Sequence, residues 1–358
     1  MITILYPYRN RETERVKRSL DSLTEQTNLN FKVVLVDYGS NISSATSIKE
    51  LVSGYSFATY VYNFSEFQPW SRAKAINIGL RNVTTDYVFT ADVDMIFSPN
   101  FIKKLQELKN PLKAYYFKVG FLNEQESKTV KIFDNYSIDF GSEVGAQGLS
   151  LFFLESVKSI NGYDEFLHFW GAEDIDIHNR LERTGSESIF YNNEILMLHQ
   201  WHKSYRREEK KVLTQDLQLT NIVQINHQQL LQNDRSAKTQ VNKTEWGNGV
   251  SISDFNELKQ STGENLILNK VEVITHFLFS ELPTFSNGII NVRFVKDKFQ
   301  GSTKYRIKKL LGKKVPKYYS LKEINDMLLQ HIISFYHTYP YSYEISNDLK
   351  SISFKIKK

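Results

Sequence analysis

Short apolar runs alternate with stretches of helical spacing along roughly the first 110 residues. Apolar residues three and four positions apart, such as Val16, Leu20 and Leu23, predict a helix, whereas continuous or alternating apolar runs predict strands. The predicted strands are 2–6, 31–36, 59–62 and 87–90, and the predicted helices are 12–24, 71–80 and 100–108. This alternation is typical of an α/β fold, in which helices flank a mostly parallel central sheet.

The pattern is less regular in the rest of the chain. The predicted elements there are a buried strand over 148–155, a helix over 174–183, a short strand over 194–198, a charged loop at Ser204–Lys211 and a polar helix over 212–231. From about residue 248 the chain consists of segments rich in Phe and Tyr. We therefore predict two domains, 1–247 and 248–358, of which the second is a smaller α+β region.

Composition narrows the class of protein. The 358 residues include 24 Phe and 20 Tyr, enough for a large core, and the net charge of +5 is mildly basic. No zinc-ligand pattern, recognition helix or arginine-rich arm is present, so we expect no nucleic-acid partner. The absence of cysteine excludes disulfides and thiol catalysis. Without a signal peptide or a run of roughly 18 apolar residues, we expect a cytoplasmic protein that at most lies on a membrane.

Two carboxylates interrupt the apolar run YVFTADVDMIF, residues 87–97. An unpaired charge at the end of a buried strand is costly unless a partner offsets it. Side chains two positions apart lie on the same side of an extended chain, so Asp92 and Asp94 would point together. Paired oxygen ligands suit a divalent cation such as Mg²⁺ or Mn²⁺. The triplet predicts either a metal site after Thr90-Ala91 or ordinary turn and capping residues.

A second acidic pair, Glu173-Asp174, directly follows the sequence Trp170-Gly-Ala. Acids in the first turn of a helix are ordinarily explained by capping and by the helix dipole. An aromatic residue and a flexible glycine before a carboxylate also suit a site that stacks a sugar ring and removes a proton from its hydroxyl. Both interpretations remain open for Glu173 and Asp174.

Histidines and cations complete the candidate chemistry. His199 and His202 lie in an H-x-x-H sequence at the end of a predicted strand, and imidazole beside a carboxylate favours Mn²⁺ over Mg²⁺. Ordinary structural histidines fit this spacing equally well. Arg9, Arg11 and Arg72 follow strands, where their guanidinium groups would match phosphate or a nucleobase edge, or would simply be solvated.

Together these motifs resemble the GT-A glycosyltransferases. They are PYRNR (7–11), WSRAKAINIG (70–79), ADVDMI (91–96), WGAED (170–174) and HQWH (199–202), in the family's order. They are most similar to the β-1,4-galactosyltransferases and to bacterial family 2 enzymes of capsule and lipopolysaccharide synthesis. The resemblance implies a Rossmann-like GT-A sheet, a UDP-sugar donor, Mn²⁺ with Mg²⁺ as the alternative, and a glycan or lipid-linked acceptor.

The resemblance also implies roles for individual residues. Asp174 would be the catalytic base and Glu173 would bind a sugar hydroxyl. Asp94 and His202 would ligate the metal, joined by His199 where the galactosyltransferases have methionine. Their Gly-Gly before Glu-Asp is Gly171-Ala172 here. The residues implied to contact the UDP-sugar are Pro7, Arg9, Arg11, Asp37, Trp70, Arg72, Asp92, Asp94, Trp170 and Gly171.

Three other functions fit parts of this pattern. A nucleotidyltransferase would use a similar sheet and metal site, but it normally has a glycine-rich loop where this chain has PYRNR. A metal-dependent phosphoesterase would use the aspartates and histidines, but it gives no reason for WGAED. A non-catalytic nucleotide-sugar-binding module would keep the acids only as caps.

The segment 304–317, KYRIKKLLGKKVPK, has seven basic residues, with Ile307, Leu310 and Leu311 at helical spacing. It could lie on an anionic membrane, which would suit a lipid-linked acceptor. The alternative is a solvated basic helix whose single apolar edge packs against the protein.

Overall fold

The computed structural model describes residues 1–203 and 210–358, which cluster into two compact units. The first unit contains residues 1–66, 70–203 and 223–249, and the second contains 67–69, 210–222 and 250–358. The domain division placed after residue 247 from the sequence stays a prediction. Residues 204–209 of the predicted charged loop lie outside the described residues.

The first unit contains eleven strands in two sheets. Their bounds are β1 (Ile2–Tyr8), β2 (Phe31–Tyr38), β3 (Ala58–Asn63), β4 (Tyr87–Thr90), β5 (Met95–Phe97), β6 (Lys113–Phe117), β7 (Gly120–Phe121), β8 (Phe140–Gly141), β9 (Ser150–Phe153), β10 (Glu187–Tyr191) and β11 (Met197–His199). The central sheet has the order β10-β6-β9-β4-β1-β2-β3. Only β9 runs antiparallel to its neighbours, so the predicted mostly parallel sheet is confirmed.

The helices of this unit cover both faces of the central sheet. They are α1 (Thr13–Thr24), α2 (Ile42–Ser53), α3 (Arg72–Asn82), α4 (Phe101–Glu107), α5 (Leu154–Ser159), α6 (Glu173–Arg183) and α7 (Ile222–Arg235). Strand β1 is buried along its whole length, with Ile4 packing in the same core as Leu20 of α1 and Leu5 in a second core with Ile76 of α3. Because both faces of β1 are covered, polar chemistry is confined to the ends of the strands.

Several predicted elements have different bounds in the structure. The apolar run predicted as one strand over 148–155 divides into β9 and α5, because apolar content alone cannot distinguish a buried strand from a buried helix start. The helix predicted over 212–231 begins only at Ile222. In the polar segment that precedes Ile222, side chains form hydrogen bonds with the local backbone. Thr214 Oγ1, for example, donates to the Asp216 carbonyl (2.8 Å), and such hydrogen bonds compete with helix formation.

A second, four-stranded sheet in this unit has the order β5-β11-β7-β8. In the antiparallel β5–β11 pair, His199 lies opposite Met95. This register brings the H-x-x-H sequence next to the acidic triplet that precedes β5. The strand predicted over 194–198 is therefore displaced toward His199, the residue at which β11 ends.

The second unit is built on a four-stranded sheet in the order β12-β13-β15-β14. Its elements are α8 (Ile252–Gln260), β12 (Asn265–Leu268), α9 (Val271–His276), a π-helical turn (Phe277–Glu281), α10 (Leu282–Thr284), β13 (Ile289–Val295), α11 (Thr303–Leu310), α12 (Leu321–Phe335), β14 (Tyr341–Ile345) and β15 (Ser351–Lys357). The predicted smaller α+β region is confirmed. Across the described ranges of both units, no helix combines the length and the apolar character needed to span a bilayer.

Candidate active site

The acidic triplet lies in a turn between β4 and β5. Strand β4 ends at Thr90, as predicted, and Val93 and Asp94 form the turn before β5 begins at Met95. The extended geometry expected from the sequence is therefore not formed. Instead of pointing together, the carboxylates of Asp92 and Asp94 face different partners.

Asp94 faces two imidazole rings. Its carboxylate oxygens lie 3.7 Å from His199 Nε2 and 3.4 Å from His202 Nε2. One ligand atom from each of the three residues falls within 4.8 Å of the others, a grouping that could hold a metal ion. The side chain of Asp94 is only 7% exposed, so this carboxylate is nearly excluded from water. The sequence-predicted metal ligands are thus brought together.

The chemistry of these donors fits a divalent cation. Asp94 Oδ1 is buried and has no hydrogen-bond partner within the described residues. His202 Nδ1 donates to the Lys203 carbonyl (2.8 Å), which leaves the lone pair of Nε2 facing the carboxylate. A lone pair and a carboxylate oxygen repel each other unless a cation or proton lies between them. Two nitrogens and an oxygen suit Mn²⁺ better than Mg²⁺, which prefers oxygen ligands.

Asp92 instead pairs with Arg72, the first residue of α3. The Nε atom of Arg72 lies 3.1 Å from Asp92 Oδ1, and its Nη1 lies 2.7 Å from Asp174 Oδ1. Its Nη2 donates to the Gly148 carbonyl (2.8 Å). Burial alone would raise the pKa of Asp92, but Arg72 and then His199 hold that pKa below its ordinary value. One guanidinium group therefore joins the triplet to the acidic start of α6.

The loop before α6 has an unusual backbone. Phe169, Gly171 and Ala172 have φ angles of 62°, 97° and 77°. The left-handed conformation costs a residue with a Cβ atom about 1–2 kcal/mol. The loop is fixed on both sides, because the Phe169 amide donates to the Trp70 carbonyl (2.8 Å) and Asn226 Nδ2 donates to the Trp170 carbonyl (3.1 Å). This strained but anchored loop determines where the two acids that follow it lie.

Glu173 and Asp174 lie in different electrostatic environments at the start of α6. Burial and then the charge of Asp174 raise the pKa of Glu173 to about 7. Burial also raises the pKa of Asp174, although Arg72 opposes this change. Near neutral pH, Glu173 is thus present in both protonated and ionised forms, and it can donate or accept a hydrogen bond.

The remaining predicted donor residues lie at the ends of β1 and β2. Asp37 is completely buried, accepting hydrogen bonds from the Ser40 amide and the Tyr60 hydroxyl (both 2.8 Å), and burial raises its pKa. Arg9 Nη2 donates to the Glu66 carbonyl (2.5 Å). Pro7 is buried and Arg11 is exposed. These contacts describe the protein's own packing, and the roles of the four residues in donor binding stay predictions.

Two tryptophans precede the helices of the site, Trp70 before α3 and Trp170 in the loop before α6. Trp70 contacts Tyr38 edge-on, with ring centroids 5.8 Å apart. Trp170, followed by Gly171, is 39% exposed, which leaves part of its ring open to solvent. Their predicted contacts with uracil and with the sugar pocket likewise stay predictions.

Two family models match adjacent parts of this chain. The model for glycosyl transferase family 2 matches residues 3–131, which include Asp92 and Asp94. The model described as the N-terminal domain of galactosyltransferase matches residues 128–203, which include Glu173, Asp174 and both histidines. The chain is a glycosyltransferase with a family 2 domain.

Individual relatives of this glycosyltransferase are distant. An uncharacterized glycosyltransferase of Haemophilus influenzae is 26% identical over 218 residues, covering 56% of this chain and 69% of that protein. A mannosyltransferase from Pyrobaculum calidifontis, solved with GDP-Man and Mn²⁺, has 19% identity and a TM-score of 0.42, covering 57% of this chain and 58% of its own. GalNAc-T7, solved with UDP, GalNAc and Mn²⁺, has 14% identity and a TM-score of 0.48, with coverages of 65% and 48%. The chain spans less than two thirds of either solved protein.

The glycosyltransferase also has site features that the sequence did not reveal. Gly148 has no side chain, but its carbonyl accepts a hydrogen bond from Arg72. A Cβ atom at this position would lie 3.0 Å from Asp174 Oδ2. The rings of Phe121 and Phe140 stack at 4.6 Å, and Phe121 lies 4.9 Å from the ring of His199. A glycine at the first position of the strand predicted over 148–155 was the available signal for Gly148. The two phenylalanines are indistinguishable from the many core aromatics in the sequence.

Proposed function

We propose that this glycosyltransferase is a metal-dependent, inverting enzyme that uses a UDP-sugar. It would move a hexose or N-acetylhexosamine, with a galactose-type sugar favoured, to a hydroxyl of a glycan or lipid-linked acceptor in surface polysaccharide synthesis. The match of residues 128–203 to a galactosyltransferase domain supports the choice of sugar. The motif resemblance supports the choice of UDP.

One observation carries the proposal: a single turn supplies the two kinds of group that such a reaction needs. Asp94 lies beside His199 and His202, a cluster suited to a cation. Two residues earlier, Asp92 connects through Arg72 to the acid pair of α6. Neutralisation of a leaving diphosphate and removal of a proton from an acceptor are thereby assigned to neighbouring groups.

The chain's own residues would perform the proton transfer. Asp174 would accept the proton of the acceptor hydroxyl while the acceptor oxygen attacks the anomeric carbon from the face opposite UDP. The bond from that carbon to the diphosphate oxygen breaks, and UDP leaves with the bonding electrons. When bound, a divalent cation would offset the charge on the diphosphate. Asp94, His199 and His202 would hold this cation.

Arg72 and burial together would give Asp174 the properties that a base requires. The 2.7 Å ion pair orients the carboxylate and favours its ionised form. Burial acts in the opposite direction and raises the pKa of Asp174, which makes the carboxylate a stronger base than an exposed aspartate. Glu173, with a pKa of about 7, would exchange hydrogen bonds with a hydroxyl of the sugar.

A donor hydrolysis panel tests the proposal without knowledge of the acceptor. The protein would be incubated with Mn²⁺ and each of UDP-galactose, UDP-glucose and their N-acetylated forms, and release of UDP would be measured. We expect slow hydrolysis of one donor, fastest for a galactose-type sugar, with GDP-mannose as the negative control. Hydrolysis of none of the UDP-sugars would contradict the proposal.

Substitution of the base separates catalysis from binding. Asp174→Asn should reduce UDP-sugar turnover by about 10²–10⁴-fold while UDP still binds. Asp234→Asn is a control, because Asp234, a residue of α7, also pairs with an arginine, and that arginine is Arg183 at the far end of α6 from Asp174. Full turnover in Asp174→Asn would exclude Asp174 as the base, whereas UDP-sugar binding without turnover in the unsubstituted protein would leave the binding-module alternative.

A further inference from the structure

Helix α11 turns its apolar side chains toward solvent. Ile307, Leu310 and Leu311 are 52%, 88% and 63% exposed, and no residue of the helix is buried. Positions three and four apart lie on one face of a helix, so these three side chains form a continuous apolar strip. The alternative expectation, a helix whose apolar edge packs against the protein, is therefore wrong.

The opposite face of α11 is anchored, which fixes this orientation. The ring of Tyr305 contacts Phe299 and Tyr318 edge-on, each at 5.6 Å between centroids. Ser302 caps the helix by accepting a hydrogen bond from the Tyr305 amide (3.1 Å). Tyr305 and Ile307 are two positions apart and so point in nearly opposite directions. The apolar strip cannot turn inward without breaking the Tyr305 contacts.

Basic residues surround the strip. Lys304 and Arg306 lie one on each side of it along the helix, and further basic residues follow in the segment after Gly312. No Asp or Glu occurs between residues 298 and 322, so the positive charge of this segment has no local counterpart in the sequence. The basic residues are Lys304, Arg306, Lys308, Lys309, Lys313, Lys314 and Lys317.

We propose that α11 and the segment that follows it form a docking surface for an anionic lipid bilayer. A solvent-exposed apolar strip flanked by Lys and Arg matches the two layers of a membrane surface. The apolar side chains would contact the acyl chains, and the basic side chains would contact the headgroup phosphates. An apolar protein partner would explain the exposed leucines but not the basic residues around them. A nucleic acid would explain the basic residues but not the exposed leucines. Two turns of helix give weak and reversible attachment.

The membrane surface itself is independent of the chemistry proposed above. Its purpose, bringing the enzyme to a lipid-linked acceptor, rests on the proposed function. The two proposals therefore need separate measurements, namely vesicle binding in the absence of any sugar donor and UDP-sugar hydrolysis in the absence of vesicles.

Vesicle flotation tests the surface with the full chain. Phosphatidylcholine vesicles with and without phosphatidylglycerol would be mixed with the protein at low and high salt. We expect the protein to float only with the anionic vesicles, and less of it at high salt, because screening weakens the attraction of surface charges. Equal binding to both kinds of vesicle, or to neither, would overturn the proposal.

Matched double variants distinguish the two components. Leu310→Ser/Leu311→Ser should lower membrane affinity about tenfold or more, whereas Leu112→Ser/Leu266→Ser, at two other leucines that are each 67% exposed, should not change it. Lys313→Glu/Lys314→Glu should lower affinity by at least about tenfold, since each cation near an anionic surface contributes about fivefold.

The charge control is Lys49→Glu/Lys259→Glu, which changes the net charge equally at exposed sites outside the segment. UDP-sugar hydrolysis should be unchanged in all four variants, which shows that they are folded. If the two leucine pairs float alike, or if the leucine variant changes only the oligomeric mass of the protein in solution, the membrane proposal is wrong.

Discussion

Asp92 and Asp94 are two residues apart between β4 and β5, yet their carboxylates have partners of different kinds. Asp92 has a counterion supplied by the chain, the guanidinium group of Arg72 at 3.1 Å. Asp94 is more deeply buried, has an oxygen without a hydrogen-bond partner within the described part of the chain, and faces imidazoles at 3.4 Å and 3.7 Å. The first acid belongs to an internal charge network, and the second has the environment of a metal ligand.

The groups that contact each aspartate, and not the aspartates themselves, decide whether the carboxylate has a structural role or is available to a metal. A buried carboxylate must be neutralised, paired or bound to a metal. Arg72 pairs with Asp92, and in doing so it connects the turn to Asp174. The same Asp-x-Asp sequence would not reveal which acid has which partner.

The largest expected effect is on metal binding. Asp94→Asn should weaken Mn²⁺ binding by about 100-fold or more, whereas Asp92→Asn should weaken it only slightly, because Asp92 is not in the cluster. Calorimetric titration with MnCl₂ measures both, with Asp134→Asn, at an exposed acid, as the control. Equal losses at positions 92 and 94 would remove the distinction between the two acids.

Without metal, the same pair of variants should show the reverse order in stability. Asp94→Asn removes a poorly compensated buried charge, so its free energy of unfolding should equal or exceed that of the unsubstituted protein. Asp92→Asn breaks an ion pair and should lower it. Denaturant unfolding in the presence of a chelator checks the order.

The next largest effect concerns Arg72. Arg72→Met leaves Asp92 and Asp174 without their counterion and should lower the free energy of unfolding by about 3 kcal/mol. Arg81→Met is a matched control in the same helix, since Arg81 is exposed and contacts Trp246 and Asn248. It should cost less than about 1 kcal/mol. Similar losses for both variants would show that the bridge adds nothing to stability.

A smaller effect depends on pH through Glu173. The folded pKa of about 7 lies above the ordinary value of 4.5, so the unfolded chain releases this proton first as pH rises. The contribution of Glu173 to stability is therefore present at low pH and is lost as pH rises through about 7. Glu173→Gln removes this loss, and its stability relative to the unsubstituted protein should increase by about 2 kcal/mol from pH 5 to pH 8.

Glu182→Gln provides the control for this measurement, because Glu182 is an exposed acid of the same helix. Its stability difference from the unsubstituted protein should not change with pH. Denaturant unfolding at the two pH values measures both variants, and a flat profile for Glu173→Gln would show that Glu173 titrates as an exposed glutamate does.

The smallest effect tests the strained loop. Ala172 has a φ of 77°, a conformation that glycine adopts without cost, so Ala172→Gly should raise the free energy of unfolding by about 1 kcal/mol. The same substitution at Ala45, inside α2, should lower it by about 0.5–1 kcal/mol. Thermal unfolding of both variants compares the signs, and a loss at position 172 would mean that its Cβ contacts outweigh the strain.

The sequence was sufficient for the centre of the fold. Strand β1 is buried on both faces, and its short apolar run, rich in β-branched residues, predicted a strand, as did the runs of β2 and β4. The edge strand β10 and the largely exposed helix α2 were missed, because elements with few buried positions show no clear periodicity. The five-residue strand β6 beside β10 was missed as well. The candidate ligands Asp94, His199 and His202 could be named from spacing and resemblance.

The connections within the site could not be read from the sequence. Arg72 and Asp174 are 102 positions apart, and their contact depends on how α3 and α6 pack on the sheet. The position of His199 beside Asp94 depends on the β5–β11 register, which a shift of one residue would abolish. The turn at Asp92 likewise replaced the extended segment that local pattern predicted.

Strand β9 covers an edge of β4 that stays exposed during synthesis on the ribosome until β9 itself has been made. It is the antiparallel strand between β4 and β6, so the earlier-made β4 has an open edge until residues 150–153 emerge. An open edge strand invites pairing with other chains. A product truncated near residue 131 would contain Asp92 and Asp94 but would lack Asp174 and both histidines of the cluster. Premature termination would therefore yield an aggregation-prone fragment without the proposed base or the complete candidate metal cluster, and not a slower enzyme.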